Sequence, residues 1–252
     1  VANNKPRVLV TRPAAQSARL CTLLEAAGYE AIRLPAIEIR DPVNLHELET
    51  VSDELDSYDL AVFVSVNAVQ KGVEFVLDRR EWPEHTAIAT VGARSAEALL
   101  PYGLSTDYVP EHRFNSEALL ALDELQDMTG QRVAIFRGNG GREYLHDTLL
   151  ERGAEVDYIE VYRRACPAAD ADAMLELLQP GCLDFITVTS NETLQNLFDM
   201  AGAAGQPLLR ELPLVVVSKR QSMLARQLGF KQEPLLAVNA SDEAIVAAVK
   251  GD

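Results

Sequence analysis

The strongest constraint in this sequence is that it repeats itself. Arg7-Val8-Leu9-Val10-Thr11-Arg12 returns as Arg132-Val133-Ala134-Ile135-Phe136-Arg137, an offset of 125 positions. At that offset Leu20 falls on Leu145, Leu24 on Leu149, Gly28 on Gly153, Glu30 on Glu155, Asp59 on Asp184 and Ser65 on Ser190. After a slip of one residue Arg94 falls on Arg220, Gly103 on Gly229, Glu117 on Glu243 and Ala118 on Ala244. A constant offset over separate blocks marks a duplication, so each half carries the pattern of one structural unit. Each copy is near the commonest domain size and long enough to bury a core.

Both copies alternate short apolar strands with amphipathic helices. In the first copy the pattern predicts strands over 8–10, 31–39, 60–64 and 88–91, and helices over 20–27, 69–77 and 95–100. In the second it predicts strands over 133–136, 156–162, 185–189 and 214–217, and helices over 144–152, 194–201 and 221–228. Gly28, Gly103, Gly153 and Gly229 stand where helices end. Short buried strands separated by helices imply parallel sheets covered on both faces. Right-handed crossovers then give an α/β fold of two flavodoxin-like, doubly wound domains. Taken alone, the repeat suggests two contiguous domains divided near residue 125.

Ligands of such sheets bind beyond the carboxyl ends of the strands. Those loops read Thr11-Arg12-Pro13, Ser65-Val66-Asn67 and Gly92-Ala93-Arg94-Ser95 in the first copy. In the second they read Arg137-Gly138-Asn139-Gly140-Gly141-Arg142, Ser190-Asn191 and Ser218-Lys219-Arg220. Each leads into a helix start, where free N–H groups and the helix dipole favour anions. Serine and asparagine there are also good helix caps whatever the function. The recurrence of the same chemistry at repeated positions predicts a polyanion site between the two halves. The glycines of 138–141 match neither a Walker loop nor a dinucleotide fingerprint.

The chain has 38 acidic against 23 basic residues and a net charge of −15. That field repels nucleic acid and anionic membranes at long range, so neither is an expected partner. No apolar run approaches the roughly 18–20 residues that span a bilayer, and no secretory signal opens the sequence. Cys21, Cys166 and Cys182 are irregularly spaced, and the four histidines lack ligand spacing, so neither a disulfide framework nor a structural metal is expected. No strand-end histidine accompanies a loop serine or cysteine, which leaves acyl-transfer chemistry without its parts. Tyr162 ends a strand just before Arg163-Arg164 and could pack or offer its hydroxyl to a ligand.

The combination resembles the uroporphyrinogen-III synthase family. The resemblance rests on Val8-Leu9-Val10-Thr11-Arg12-Pro13, Phe63-Val64-Ser65-Val66-Asn67-Ala68-Val69, Val91-Gly92-Ala93-Arg94-Ser95-Ala96, Arg137 to Arg142, Val161-Tyr162-Arg163-Arg164 and Ser218-Lys219-Arg220. They follow the family order over nearly the whole chain. Val64 departs from the family, where a hydroxyl residue is expected, and so does Lys219, where a proline is common.

The resemblance implies a discontinuous first domain of residues 1–36 and 168–252 and a second of 42–160. Residues 37–41 and 161–167 would pair as a two-stranded linker. It implies cyclisation of the linear tetrapyrrole hydroxymethylbilane to uroporphyrinogen III, with loss of water and inversion of the last pyrrole ring through a spiro intermediate. The class is a lyase of porphyrin biosynthesis. Tyr162 is the implied catalytic residue. Arg12, Ser65, Asn67, Gly92, Arg94, Ser95, Arg137, Gly138, Ser190, Asn191, Ser218 and Arg220 are the implied substrate contacts. No cofactor is implied. The enzyme is expected to be a cytoplasmic monomer in transient contact with the preceding enzyme of its pathway. Two alternatives stay open on the residues alone: a two-lobed small-anion-binding protein, and a flavodoxin-like nucleotide-binding module.

Overall fold

The computed structural model describes residues 5–251. They form two compact units, one of residues up to Glu38 together with Ala165 onward, the other Ile39–Arg164. The first unit opens with β1 (Arg7–Val10), α1 (Ala14–Ala26) and β2 (Glu30–Arg33). The second follows with β3 (Glu38–Arg40), α2 (His46–Asp53), β4 (Leu60–Phe63), α3 (Val66–Leu77) and β5 (Ala87–Thr90). It continues through α4 (Ala93–Glu97), α5 (Ser116–Leu119), β6 (Arg132–Gly138), α6 (Tyr144–Glu151) and β7 (Glu155–Ala165). The chain completes the first unit with α7 (Ala171–Leu177), β8 (Phe185–Thr187), α8 (Asn191–Met200) and α9 (Gly202–Leu209). Last come β9 (Leu214–Val216), α10 (Lys219–Leu228), β10 (Leu235–Leu236) and α11 (Asp242–Lys250).

The first sheet runs β2-β1-β8-β9-β10, the flavodoxin order, and the second runs β3-β7-β6-β4-β5. The repeat maps β1 on β6, β2 on β7, β8 on β4 and β9 on β5, so the two sheets share one strand order. Their registers agree residue by residue. Arg7 faces Glu30 as Arg132 faces Glu155, and Val8 faces Phe185 as Val133 faces Leu60. The backbone N–H of Arg7 donates to Asp184 at 2.7 Å, and that of Arg132 donates to Asp59 at 2.8 Å. Each sheet therefore joins the first half of one copy to the second half of the other. The chain divides near residues 38 and 164, not near 125, because β1 pairs with β8 instead of β4.

Each sheet is covered on both faces. In the second unit Ala61, Phe63, Ala134, Phe136, Ile159 and Val161 meet α2 and α3, while Leu60, Val62, Val133 and Ile135 meet α5 and α6. Burial of such side chains is worth about 1.5–3 kcal/mol each and holds the layers together. Gly72 lets α3 approach closely, since a Cβ there would lie 2.8 Å from the Phe136 ring. The Phe136 ring stacks on Phe63 at 4.7 Å. That contact seats the start of α3 beside the ends of β4 and β6.

Candidate active site

The point where strand order reverses in a doubly wound sheet is where its ligand crevice forms. In the second unit that point lies between β6 and β4, and Gly138 and Ser65 stand at it. Ser65 has extended backbone and caps α3, its Oγ accepting from the Ala68 N–H at 3.1 Å. The same Oγ lies 3.2 Å from the hydroxyl of Tyr162. Asn67 is half-buried in the first turn of α3.

Tyr162 reaches this position through an irregularity. Arg137 of β6 faces Glu160, but Gly138 faces Tyr162, so Val161 is an extra residue in β7. A bulge of this kind re-aims the side chains that follow it. Val156 and Tyr158 point to the α5–α6 face, and alternation would send Tyr162 there too. The bulge puts Tyr162 on the α3 face with Ile159 and Val161. Its ring lies against Gly138, and the residue is only 1% exposed.

The glycine loop is braced from inside. Arg137 is buried, and its guanidinium stacks over the Tyr158 ring at 4.2 Å. It donates to the carbonyls of Gly138 and Gly140 and lies 3.4 Å from Glu143. Tyr158 also meets His146, ring on ring at 4.6 Å. Burial, and then the Glu143 carboxylate, push the Tyr158 hydroxyl up to about 12. Arg142 grips Glu117 with both terminal nitrogens, at 2.5 and 3.2 Å, tying the loop to α5. That hydrogen bond holds the Glu117 carboxyl below its usual range. Behind the loop is a cavity of about 160 Å³, lined among others by Ser116, Arg137, Gly138, Asn139, Tyr158 and Tyr162.

Beside it, Gly92 precedes α4, and Phe114 packs where a side chain would begin, 3.0 Å away. Arg94 is exposed and Ser95 buried.

The first unit carries the equivalent loops. The Thr11 hydroxyl donates to the Thr187 carbonyl at 2.6 Å, and the Thr187 hydroxyl donates to Leu9 at 3.1 Å, stitching β1 to β8. Ser190 caps α8 through Thr193, with Asn191 exposed beside it. Ser218 caps α10, and Gln221 returns its Oε1 to the Val217 N–H at 2.8 Å. Arg220 is exposed. Arg12 is paired with Asp242 and donates to the Ala240 carbonyl at 2.8 Å.

Within the second unit the structure brings Ser65, Arg137, Gly138 and Tyr162 together. Arg12 and Arg137 turn inward to partners of their own unit, whereas Arg94 and Arg220 face solvent. Asn139, Glu143 and Tyr158 were missing from the residues singled out in the sequence. Asn139 accepts from the Arg164 N–H at 2.7 Å and donates its own N–H to the Tyr162 carbonyl at 3.1 Å. The Asn-Gly pair 139–140 is a turn signal that marks the first of these. Tyr158 stands four residues before Tyr162, a spacing that alternation alone would place on one face. Among the described residues no three His, Cys, Asp or Glu side chains are grouped to hold a metal, and no helix is long and apolar enough to cross a membrane.

Fold and site together define an α/β protein of two flavodoxin-like units with hydroxyl-capped helix starts and arginines at its strand ends. The family model for uroporphyrinogen-III synthase HemD matches residues 18–247. The chain belongs to the uroporphyrinogen-III synthase family. It is 34% identical over 245 residues to uroporphyrinogen-III synthase of Escherichia coli, covering 96% of this chain and 99% of that one. The Salmonella typhimurium enzyme of the same name is 36% identical over 248 residues, with the same coverage. Among solved structures, a uroporphyrinogen III synthase mutant of Thermus thermophilus superposes with a TM-score of 0.61 at 20% identity, covering 98% of this chain and 96% of that one. Uroporphyrinogen-III synthetase of Helicobacter pylori gives a TM-score of 0.62 at 14% identity, covering 98% and 99%. These two likenesses concern the fold.

Proposed function

We propose that the chain is a cyclising lyase that converts hydroxymethylbilane to uroporphyrinogen III, losing water and inverting the last pyrrole ring. The observation that carries the reading is the Tyr162 hydroxyl, 3.2 Å from Ser65 at the switch point of the second sheet. Family membership supplies the reaction, and the site supplies groups suited to it. A linear tetrapyrrole carries many carboxylates, which suit exposed arginines such as Arg94 and Arg220 and the free N–H groups that begin α3, α8 and α10. Asn67, Ser190, Asn191 and Ser218 sit at those helix starts, Gly92 and Ser95 sit at the start of α4, and all six are proposed substrate contacts. Arg137 and Arg12 act through the backbone they brace and through their local field.

The substrate is reactive and closes unaided to the wrong isomer, so the enzyme's main task is to hold one folded geometry. Hydrogen-bond donors fixed in place do this without reorganising during reaction. Tyr162 assists departure of the substrate hydroxyl. The enzyme works as a cytoplasmic monomer and takes its short-lived substrate from the enzyme that makes it. The test is an assay with freshly generated hydroxymethylbilane, followed by oxidation and separation of the porphyrin isomers. Formation of the III isomer is expected. Recovery of the I isomer alone, as in buffer, overturns the reading.

A further inference from the structure

We propose that Ser65 is a positioning residue for Tyr162: its hydroxyl donates to the phenol oxygen and leaves the phenolic hydrogen free for the substrate's departing hydroxyl. The inference rests on the leaving-group role given to Tyr162 above. A serine hydroxyl has one hydrogen and two lone pairs. One lone pair of Ser65 is occupied by the Ala68 N–H at 3.1 Å. At a helix start the backbone presents donors and a positive field, so a capping hydroxyl turns its oxygen inward and its hydrogen outward. The Tyr162 oxygen lies 3.2 Å away as an acceptor for that outward hydrogen. Reversing the bond would use up the phenolic hydrogen and leave Tyr162 nothing to donate.

The ring cannot easily leave this arrangement. Gly138 backs the ring, and the Tyr162 backbone carbonyl accepts from the Asn139 N–H at 3.1 Å. Packing therefore fixes the ring, and Ser65 fixes the direction of its proton. The same bond connects the phenol oxygen to the positive end of α3, which stabilises the charge the oxygen takes on after giving up its proton. In the step itself, Tyr162 passes its proton to the hydroxymethyl oxygen. The carbon–oxygen bond breaks with its electron pair on oxygen, which leaves as water. The pyrrole nitrogen lone pair stabilises the carbon cation left behind. The substituted α-carbon of the last pyrrole bonds to that cation to give the spiro intermediate. Its bond to the old methylene then breaks to leave a second cation there. The free α-carbon of the inverted ring closes on this methylene and, to restore aromaticity, sheds its proton, which the phenolate takes back.

The test is a double-mutant cycle with Ser65→Gly, Tyr162→Phe and the pair, measured as kcat and KM with hydroxymethylbilane and accompanied by thermal melts. Glycine removes the hydroxyl yet remains a fair helix cap, so the fold is kept. Ser65→Gly should lower kcat about tenfold, roughly the effect of one lost hydrogen bond of 1.4 kcal/mol, with a smaller change in KM. The double variant should be no slower than Tyr162→Phe, because the two residues act as one unit. Ser65→Thr, which retains hydroxyl and cap, should recover most of the rate. Unchanged kcat in Ser65→Gly overturns the inference, as does an equal further loss in the Tyr162→Phe background. If Tyr162→Phe alone keeps full turnover, the leaving-group role falls and takes this inference with it. A slow Tyr162→Phe with independent losses removes the Ser65 role only.

Discussion

The Tyr162 ring lies directly against Gly138: a side chain begun at Gly138 would sit 2.5 Å from two of the ring carbons. No real Cβ is tolerated at that distance, so Gly138→Ala must displace the ring or the strand. Overpacking of this kind costs about 1–3 kcal/mol. We expect a lowered melting temperature together with a loss of turnover much larger than the stability change explains. Wild-type kcat in a folded Gly138→Ala protein would detach Tyr162 from the reaction.

Gly72 has the same relation to Phe136, but it lies far along α3 from the hydroxyl pair. Gly72→Ala should lift α3 off the sheet and destabilise the second unit by about 1–3 kcal/mol. Because Ser65 begins that helix, kcat should fall with it. Chemical denaturation and steady-state kinetics on the same preparation separate the two effects.

Arg137 stood among the residues expected to hold substrate, and its contacts are to its own loop and to the Tyr158 ring. Its charged hydrogen bonds to the Gly138 and Gly140 carbonyls are lost when the side chain is removed, the first of them buried. Arg137→Ala should cost roughly 2–4 kcal/mol, since bonds to a charged group are worth about 1.5–3 kcal/mol each. Arg137→Lys should recover little of this, because an ammonium neither forks nor stacks on Tyr158 in the same way. Variants as stable as wild type with a raised KM would instead make Arg137 a direct substrate contact.

Alkaline titration should show tyrosines that ionise late. Burial, and then the Glu143 carboxylate, raise Tyr158 to about 12, and burial, then the bond to Glu74, raises Tyr102 to about 12. Tyr58 is raised too, by burial and then by its hydrogen bond to Asp157. A neutral group whose folded value lies above its unfolded value, near 10 for tyrosine, stabilises the fold fully below that unfolded value. The contribution is lost as pH rises through about 12. Ultraviolet titration should resolve this late component, and Tyr158→Phe and Tyr102→Phe should each shrink it. A single ionisation of all tyrosines near 10 would contradict the packing.

The elements themselves were largely legible. Apolar periodicity placed β1, β4, β5, β6, β8 and β9 to within a residue or two, and Gly28 and Gly153 adopt the left-handed conformation expected after a helix. Residues 31–39 read as one extended segment, but pairing with β1 ends at Arg33, and a separate strand begins at Glu38 in the other sheet. Helix α9 was not legible. It falls between the predicted helix over 194–201 and the predicted strand over 214–217, where no element was assigned. Gly202, Gly205 and Pro207 are poor helix formers, yet a Cβ at Gly205 would lie 3.1 Å from Leu178 and Leu209 is fully buried. Tertiary burial there outweighs poor intrinsic propensity.

By itself the sequence determined the repeat, the α/β pattern, the strand-end loops and the residues from which a site could be built. Those follow from local periodicity and from chemistry that each copy carries in full. Two matters lay beyond the local pattern and needed the tertiary structure, although the family resemblance had implied the first. The first is which half of which copy shares a sheet. Asp59 and Asp184 are equivalent, as are β4 and β8, so the strand pattern fits β1 to either partner. Only the course of the whole chain distinguishes them. The second is the face on which Tyr162 lies. Alternation assigns it to the side of Tyr158, and the single extra residue Val161 moves it across the sheet to Ser65. A bulge depends on how two strands far apart in sequence meet, and no local pattern encodes it.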